Sequence, residues 1–176
     1  FHVDGAYGGA GILCESTSAL FKGIEKSDSF IVDPHKWLFS PYDSAALIYK
    51  DPEAARRTHI QHAEYLEAGN DTLDWNPSDY AHHLTRRARG LPFWFMLAVH
   101  GTDAISQAIT GCINLTQQSK NLIEQSSHLD LVIEPQLSVI LFRRTGWKEN
   151  DYRSWCDSML KKEFAFIMPT KYKGES

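Results

Sequence analysis

Apolar positions come as short unbroken runs early in the chain and at helical spacing in its middle. Phe1-His2-Val3 reads as the end of a strand, followed by a small-residue loop, Gly5-Ala6-Tyr7-Gly8-Gly9-Ala10-Gly11. Such a loop can turn sharply or let a ligand come close to the backbone. Ser18 to Lys26 reads as a short helix. Phe30-Ile31-Val32 is a fully apolar strand halted by Asp33-Pro34, and Ala45 to Tyr49 is another, closed by Asp51-Pro52. Only eight residues lie between Lys36 and Ala45, fewer than the roughly dozen that a crossover needs, so these two strands are expected to run antiparallel if they are neighbours. The interval from Val3 to Phe30 has room for a crossover, so that pair can be parallel.

Asp51 is placed to cap a helix over 51–58, with Pro52 at its first position and Glu53 behind it. His59 to His83 is polar and rich in turn residues. Leu91 to His100 is strongly apolar, and Thr102 or Asp103 can cap a second helical stretch to about Gln125. From Leu131 the pattern becomes β-β-α-β: Leu131-Val132-Ile133, Val139 to Phe142, a helix near Tyr152 to Lys162, then Phe164 to Ile167. A boundary near Ser126 to Leu129 follows, with a smaller domain beginning after it.

Composition narrows the classes. The chain has 176 residues, 43% hydrophobic and 23% charged, which is ordinary globular usage and not that of a disordered or fibrous protein. Eighteen Lys and Arg against 22 Asp and Glu leave a net charge of −4, which argues against a protein built to grip phosphate backbones. No apolar run approaches the roughly 20 residues of a membrane span, and Phe1-His2-Val3-Asp4 does not open a signal peptide. The odd, widely spaced set Cys14, Cys112 and Cys156 suits core thiols in the cytoplasm better than a disulfide framework. A strand already under way at Phe1, without an initiator Met, suggests a fragment of a longer protein.

The sharpest chemical feature is a pair: Asp4 directly after one strand and Lys36 just after another. In an open α/β sheet, groups beyond the carboxyl ends of parallel strands meet in one crevice. The pair has two readings. One is a structural ion pair at the sheet edge. The other is pyridoxal phosphate chemistry, in which a lysine forms a Schiff base with the cofactor and an aspartate keeps the pyridine nitrogen protonated. Ala6 leaves room for a flat ring, and His35 can hydrogen-bond a phosphate or a substrate carboxylate.

The segments His2-Val3-Asp4-Gly5-Ala6-Tyr7-Gly8-Gly9 and Asp28-Ser29-Phe30-Ile31-Val32-Asp33-Pro34-His35-Lys36-Trp37 closely resemble the group II pyridoxal-phosphate decarboxylases, in the same order and at a familiar separation. These include the aromatic-L-amino-acid, histidine, cysteine-sulfinate, diaminobutyrate and glutamate decarboxylases. The resemblance continues through Asn76-Pro77-Ser78-Asp79-Tyr80 and Arg86-Arg87-Ala88-Arg89 to Met168-Pro169-Thr170. It implies an α/β, fold-type-I, aminotransferase-like architecture with a mixed, mostly parallel sheet. Residues 1–127 would be the C-terminal part of the cofactor-binding large domain, with a mobile loop at 59–83, and 128–176 the start of the small domain. It further implies a homodimer with shared active sites, acting on an amino-acid substrate.

Residue by residue, the resemblance makes Lys36 the Schiff-base lysine and Asp4 the pyridine-nitrogen partner. Ala6 becomes the small residue under the ring and His35 the histidine that precedes the lysine. Tyr65 falls where these decarboxylases carry a mobile-loop tyrosine that returns a proton to Cα. Aldehyde-forming relatives tend to have phenylalanine there, so the resemblance implies decarboxylation of an L-amino acid to its amine and carbon dioxide. The alternatives are an aldehyde-forming decarboxylase-deaminase, or an inactive fragment that acts in dimerisation. Position 33 is Asp where several relatives have Asn. The ring-stacking histidine, the phosphate-binding hydroxyls and most of the substrate pocket would lie before residue 1.

Other signals are weaker. His59-Ile60-Gln61-His62 with His82-His83 has no carboxylate or cysteine at a matching offset, so no metal site is expected. Arg86, Arg87 and Arg89 lack the aromatic interleaving of a nucleic-acid surface, and Arg86 is expected to be the one turned inward. Phe93-Trp94-Phe95 suits a core or a dimer interface.

Overall fold

A computed structural model describes residues 1–61 and 76–174. The chain parts into two compact units, Phe1–Thr110 and Gly111–Ser176.

The first unit is organised by a three-stranded sheet in the order β1-β2-β3. Strand β1 (His2–Asp4) runs parallel to β2 (Ser29–Val32), with Asp4 opposite Ile31. Strand β3 (Ala46–Tyr49) pairs antiparallel with β2, Phe30 opposite Ile48. The antiparallel pair is the one that the short linker requires, and the parallel pair is one that the longer interval permits. Of the two pairings one is parallel, so the sheet is mixed.

The β1-to-β2 connection is not the single helix expected over 18–26. It is a chain of short turns: a 3-10 segment at Gly8–Leu13, helix α1 (Glu15–Ser18), and 3-10 turns at Ala19–Phe21 and Ile24–Lys26. Close packing explains the glycines at its start. A Cβ on Gly5 would lie 2.3 Å from Phe30 Cε2 and 3.0 Å from the Ile31 carbonyl oxygen, and one on Gly9 would lie 2.6 Å from Phe30 Cζ. Both glycines face the same edge of one ring, whose strand lies between two others. Gly5→Ala is therefore expected to destabilise the fold by about 1–3 kcal/mol, the usual range for overpacking. Chemical denaturation of the variant beside the parent chain measures the loss.

Helix α2 (Pro52–His59) starts as its sequence dictates: Asp51 Oδ1 accepts the Glu53 and Ala54 amides at 3.0 and 3.2 Å. Helix α3 (Gly90–Glu124) is interrupted at Gly101, whose φ of 75° and ψ of 165° are non-helical. That glycine separates the two stretches expected from the sequence, because its backbone reaches a region other residues avoid. Along the first stretch Leu91, Trp94, Phe95 and Val99 are exposed, while Ile105 and Ile109 on the second are buried. Three side-chain bonds tie α3 to the early turns: Ser106 Oγ donates to the Leu13 carbonyl (2.8 Å), Cys14 Sγ to the Ser106 carbonyl (3.5 Å), and Thr110 Oγ1 to Cys14 Sγ (3.3 Å). Cys14 is thus a buried structural thiol. All three cysteines are free.

In the second unit, β4 (Leu129–Ile133) and β5 (Leu141–Arg144) form an antiparallel pair, followed by α4 (Glu149–Lys161). Asp151 Oδ2 accepts the Lys148 amide at 2.8 Å, which secures the start of α4. Phe142, Trp147, Tyr152 and Trp155 form an aromatic cluster beside it, with centroid separations of 5.3 to 6.5 Å. The strand expected at 164–167 does not form: the segment joins no ladder, and Phe164 and Phe166 are 81% and 74% exposed. Alternating apolar residues make a strand only when a neighbouring strand takes up their backbone groups. Among the described residues no helix is long and apolar enough to cross a membrane.

Candidate active site

The parallel pairing of β1 and β2 brings the two motifs to one edge of the sheet. Asp4 ends β1, and the turn Asp33-Pro34-His35-Lys36 leaves the same end of β2. Main-chain bonds hold the two loops together. The Gly5 amide donates to the Ile31 carbonyl (3.1 Å) and the Asp33 amide to the Ala6 carbonyl (3.0 Å), while the Ala6 amide donates to Asp4 Oδ1 (3.0 Å). Ala6 thus connects the acid on one loop to the turn that carries the lysine. Beside it, the Tyr7 and Trp37 rings stack at 5.0 Å and an interplanar angle of 7°. The residues flanking Ala6 and Lys36 are therefore clamped face to face.

Lys36 Nζ lies 2.7 Å from Asp33 Oδ2; the lysine side chain is 41% exposed and the aspartate 10%. The amine is reachable from solvent, and its partner is nearly enclosed. Asp33 Oδ1, Trp37 Nε1 and Ser40 Oγ are buried in this same turn without a hydrogen-bond partner. Buried polar atoms are normally satisfied, so three orphans in eight residues mark ground prepared for a polar group.

His35 goes another way. Its Nδ1 contacts the Ser44 carbonyl and accepts the Ser44 amide at 3.0 Å, and its ring meets Tyr42 edge-on at 4.8 Å. It lines a cleft of about 1240 Å³ with Tyr49, His59, His82 and Arg89, a cleft that Lys36 does not line. Tyr65 and His62 lie outside the described residues.

The arginine cluster corrects an expectation. Arg86 is exposed and donates to the Pro77 carbonyl at 2.7 Å. Among the described residues, the side chains of this cluster that engage an acid are Arg87 and Arg89, at 2.6 and 3.2 Å from Asp43. Arg86 is occupied by a main-chain carbonyl of the Asn76-Pro77 turn, which its neighbours are not. The hydrogen bond from Arg89, aided by the charge of Arg87, holds the Asp43 carboxyl below its ordinary value of 3.8. A carboxyl held low in the fold contributes stability above that ordinary value and loses it as pH falls through the folded one. The thermal midpoint of the parent chain should thus fall more steeply than that of Asp43→Asn as pH drops below about 3.8; melting curves through acid pH test this. Neither Asp43 nor the pairing of Asp33 with Lys36 was foreseen from sequence. The only available signals were an acid at position 43 and an acid three residues before the lysine.

The residues fit a pyridoxal group: a reachable amine and a carboxylate stand at one sheet edge, a small residue is bonded to both of their loops, and unsatisfied polar atoms lie in the turn that carries the lysine. The family profile described as "Pyridoxal-dependent decarboxylase conserved domain" matches residues 1–145. The chain belongs to this family. It is 33% identical to the aromatic-L-amino-acid decarboxylase of Bacillus atrophaeus over 81% of its own length and 30% of that protein's. It is 34% identical to the L-2,4-diaminobutyrate decarboxylase of Acinetobacter baumannii, covering 81% of this chain and 28% of that one. The solved structure of Oryza sativa TDC with PLP and tryptamine superposes with a TM-score of 0.90 at 22% identity, covering 99% of this chain and 38% of that one. The fold of this decarboxylase segment is thus that of the fold-type-I pyridoxal enzymes, and the chain spans about a third of the length of the proteins it matches.

Proposed function

We propose that this chain carries the lysine-bearing part of a pyridoxal-phosphate-dependent carboxy-lyase, which converts an L-amino acid into its amine and carbon dioxide. The observation that carries this reading is the placement of Asp4 and Lys36 at the carboxyl edge of neighbouring parallel strands, inside the segment that matches the family. When bound, the protonated pyridine ring supplies an electron sink for the charge left at Cα. Lys36 supplies the amine that holds the cofactor through its carbonyl and later releases the product. Asp4 holds the proton on the pyridine nitrogen, a role suited to a carboxylate already oriented by the Ala6 amide. Ala6 has only a methyl group to set against the ring face.

His35, fixed through Nδ1 by Ser44, has Nε2 left for a phosphate or a substrate carboxylate. Tyr65 is assigned the return of the proton to Cα. Residues 128–176 are assigned to the beginning of the small domain. The exposed stripe Leu91, Trp94, Phe95 and Val99 supports assembly as a homodimer, and the free thiols support a cytoplasmic setting.

A panel of L-amino acids tests the reaction, with carbon dioxide, amine, ammonia and peroxide measured together in the assembled enzyme. Amine and carbon dioxide in equal amounts are expected. Aldehyde with ammonia and peroxide would replace this reading with oxidative deamination.

A further inference from the structure

Asp33 is nearly enclosed, yet among the described residues its carboxylate has one polar partner. Oδ2 lies 2.7 Å from Lys36 Nζ, and Oδ1 is buried without a partner. Its main chain is fixed at both ends of the turn: the amide donates to the Ala6 carbonyl at 3.0 Å, and the carbonyl accepts the Lys36 amide at 2.9 Å. The anion is therefore held by the fold, whereas the cation sits on a flexible four-carbon stem that is 41% exposed. Only the lysine can leave. Its departure strands a buried carboxylate with no partner at either oxygen, which is costly. An ammonium engaged with a carboxylate also has no lone pair with which to attack a carbonyl.

We propose that Asp33 is a positioning residue that latches the Lys36 amine in an unreactive, ion-paired state, which an incoming carbonyl compound must break. This rests on the reading of Lys36 as the cofactor-holding amine and adds a restraint on when that amine is available. The latch is a matter of charge: an amide at position 33 could still accept a hydrogen bond but would not hold an ammonium against a buried counter-charge.

Reductive methylation with formaldehyde and cyanoborohydride at neutral pH, followed by peptide mass spectrometry, reads the state of each amine without cofactor or turnover. In the parent chain Lys36 is expected to react more slowly than Lys22, an exposed lysine outside the ion pairs described. In Asp33→Asn, Lys36 should react about threefold faster or more while Lys22 keeps its rate, as befits the loss of one partly exposed ion pair. Asp33→Glu, which keeps the charge, should stay closer to the parent rate than Asp33→Asn. An unchanged or slower Lys36 in Asp33→Asn, or a rise shared equally with Lys22, would overturn the latch. If that variant does not fold, the comparison of Lys36 with Lys22 in the parent chain decides, and equal rates overturn the proposal. A parallel sample with pyridoxal phosphate and borohydride keeps the two readings apart. Scattered labelling there would sink the cofactor role of Lys36 and leave the latch, read from formaldehyde alone, standing.

Discussion

Lys36→Ala should abolish selective capture of pyridoxal phosphate by the chain and lower decarboxylation in the assembled enzyme by at least about a thousandfold. On the proposed reading Lys36 both holds the cofactor and releases product, so its removal takes two functions together, and losses of this order follow from deleting a positioned proton-transfer group alone. Within the turn 33–40, Lys36 is the only amine side chain, and His35 is committed through Nδ1 to Ser44. The change also leaves the enclosed Asp33 carboxylate without its cation, so some loss of stability is expected beside the loss of capture. The measurement is borohydride trapping followed by peptide mapping, with melting curves as a control. Full labelling of the variant would place the cofactor on another lysine.

Asp4→Asn should have the second-largest effect, a fall in turnover of about a hundredfold or more. That is the scale on which a single preorganised electrostatic partner at a reacting centre contributes. An amide keeps the shape and can still accept the Ala6 amide hydrogen bond, so the β1 loop should hold its course. What it loses is the negative charge that, on the proposed reading, keeps a proton on the pyridine nitrogen. The two variants therefore separate: Lys36→Ala loses covalent capture and turnover together, whereas Asp4→Asn retains weakened capture and loses turnover. Equal turnover of Asp4→Asn and the parent enzyme would remove Asp4 from the site.

The parts legible in the sequence are those set by local rules. The antiparallel direction of β3 followed from the few residues that separate it from β2, the longer interval before β2 left room for the parallel one, and the start of α2 followed from Asp51-Pro52-Glu53. The interruption of α3 fell at a glycine between the apolar stretch and the one that Thr102 or Asp103 was expected to cap. The neighbourhood of Asp4 and Lys36 was legible because parallel strands deliver their following loops to one edge.

The parts that were not legible depend on partners far along the chain. Asp43 meets Arg87 and Arg89 across 44 and 46 residues, and no spacing rule selects Arg87 over Arg86 for that contact. Phe164 to Ile167 has strand composition, but the outcome depended on a neighbouring strand. The close approach of Gly5 and Gly9 to the Phe30 ring is likewise a packing demand that residue propensities do not encode.

The bonds that join Ala6 to Asp4 and Asp33, together with the Tyr7–Trp37 stack, have a bearing on protein engineering. The stretches 4–9 and 30–37 are interlocked by main-chain contacts, by a ring pair, and by the fit of Phe30 beneath two glycines. In a chimera between relatives they would behave as a single cassette. A donor loop transplanted without its matching turn would arrive with the wrong ring at position 37 or the wrong bulk at position 30, even with the acid and the lysine both retained.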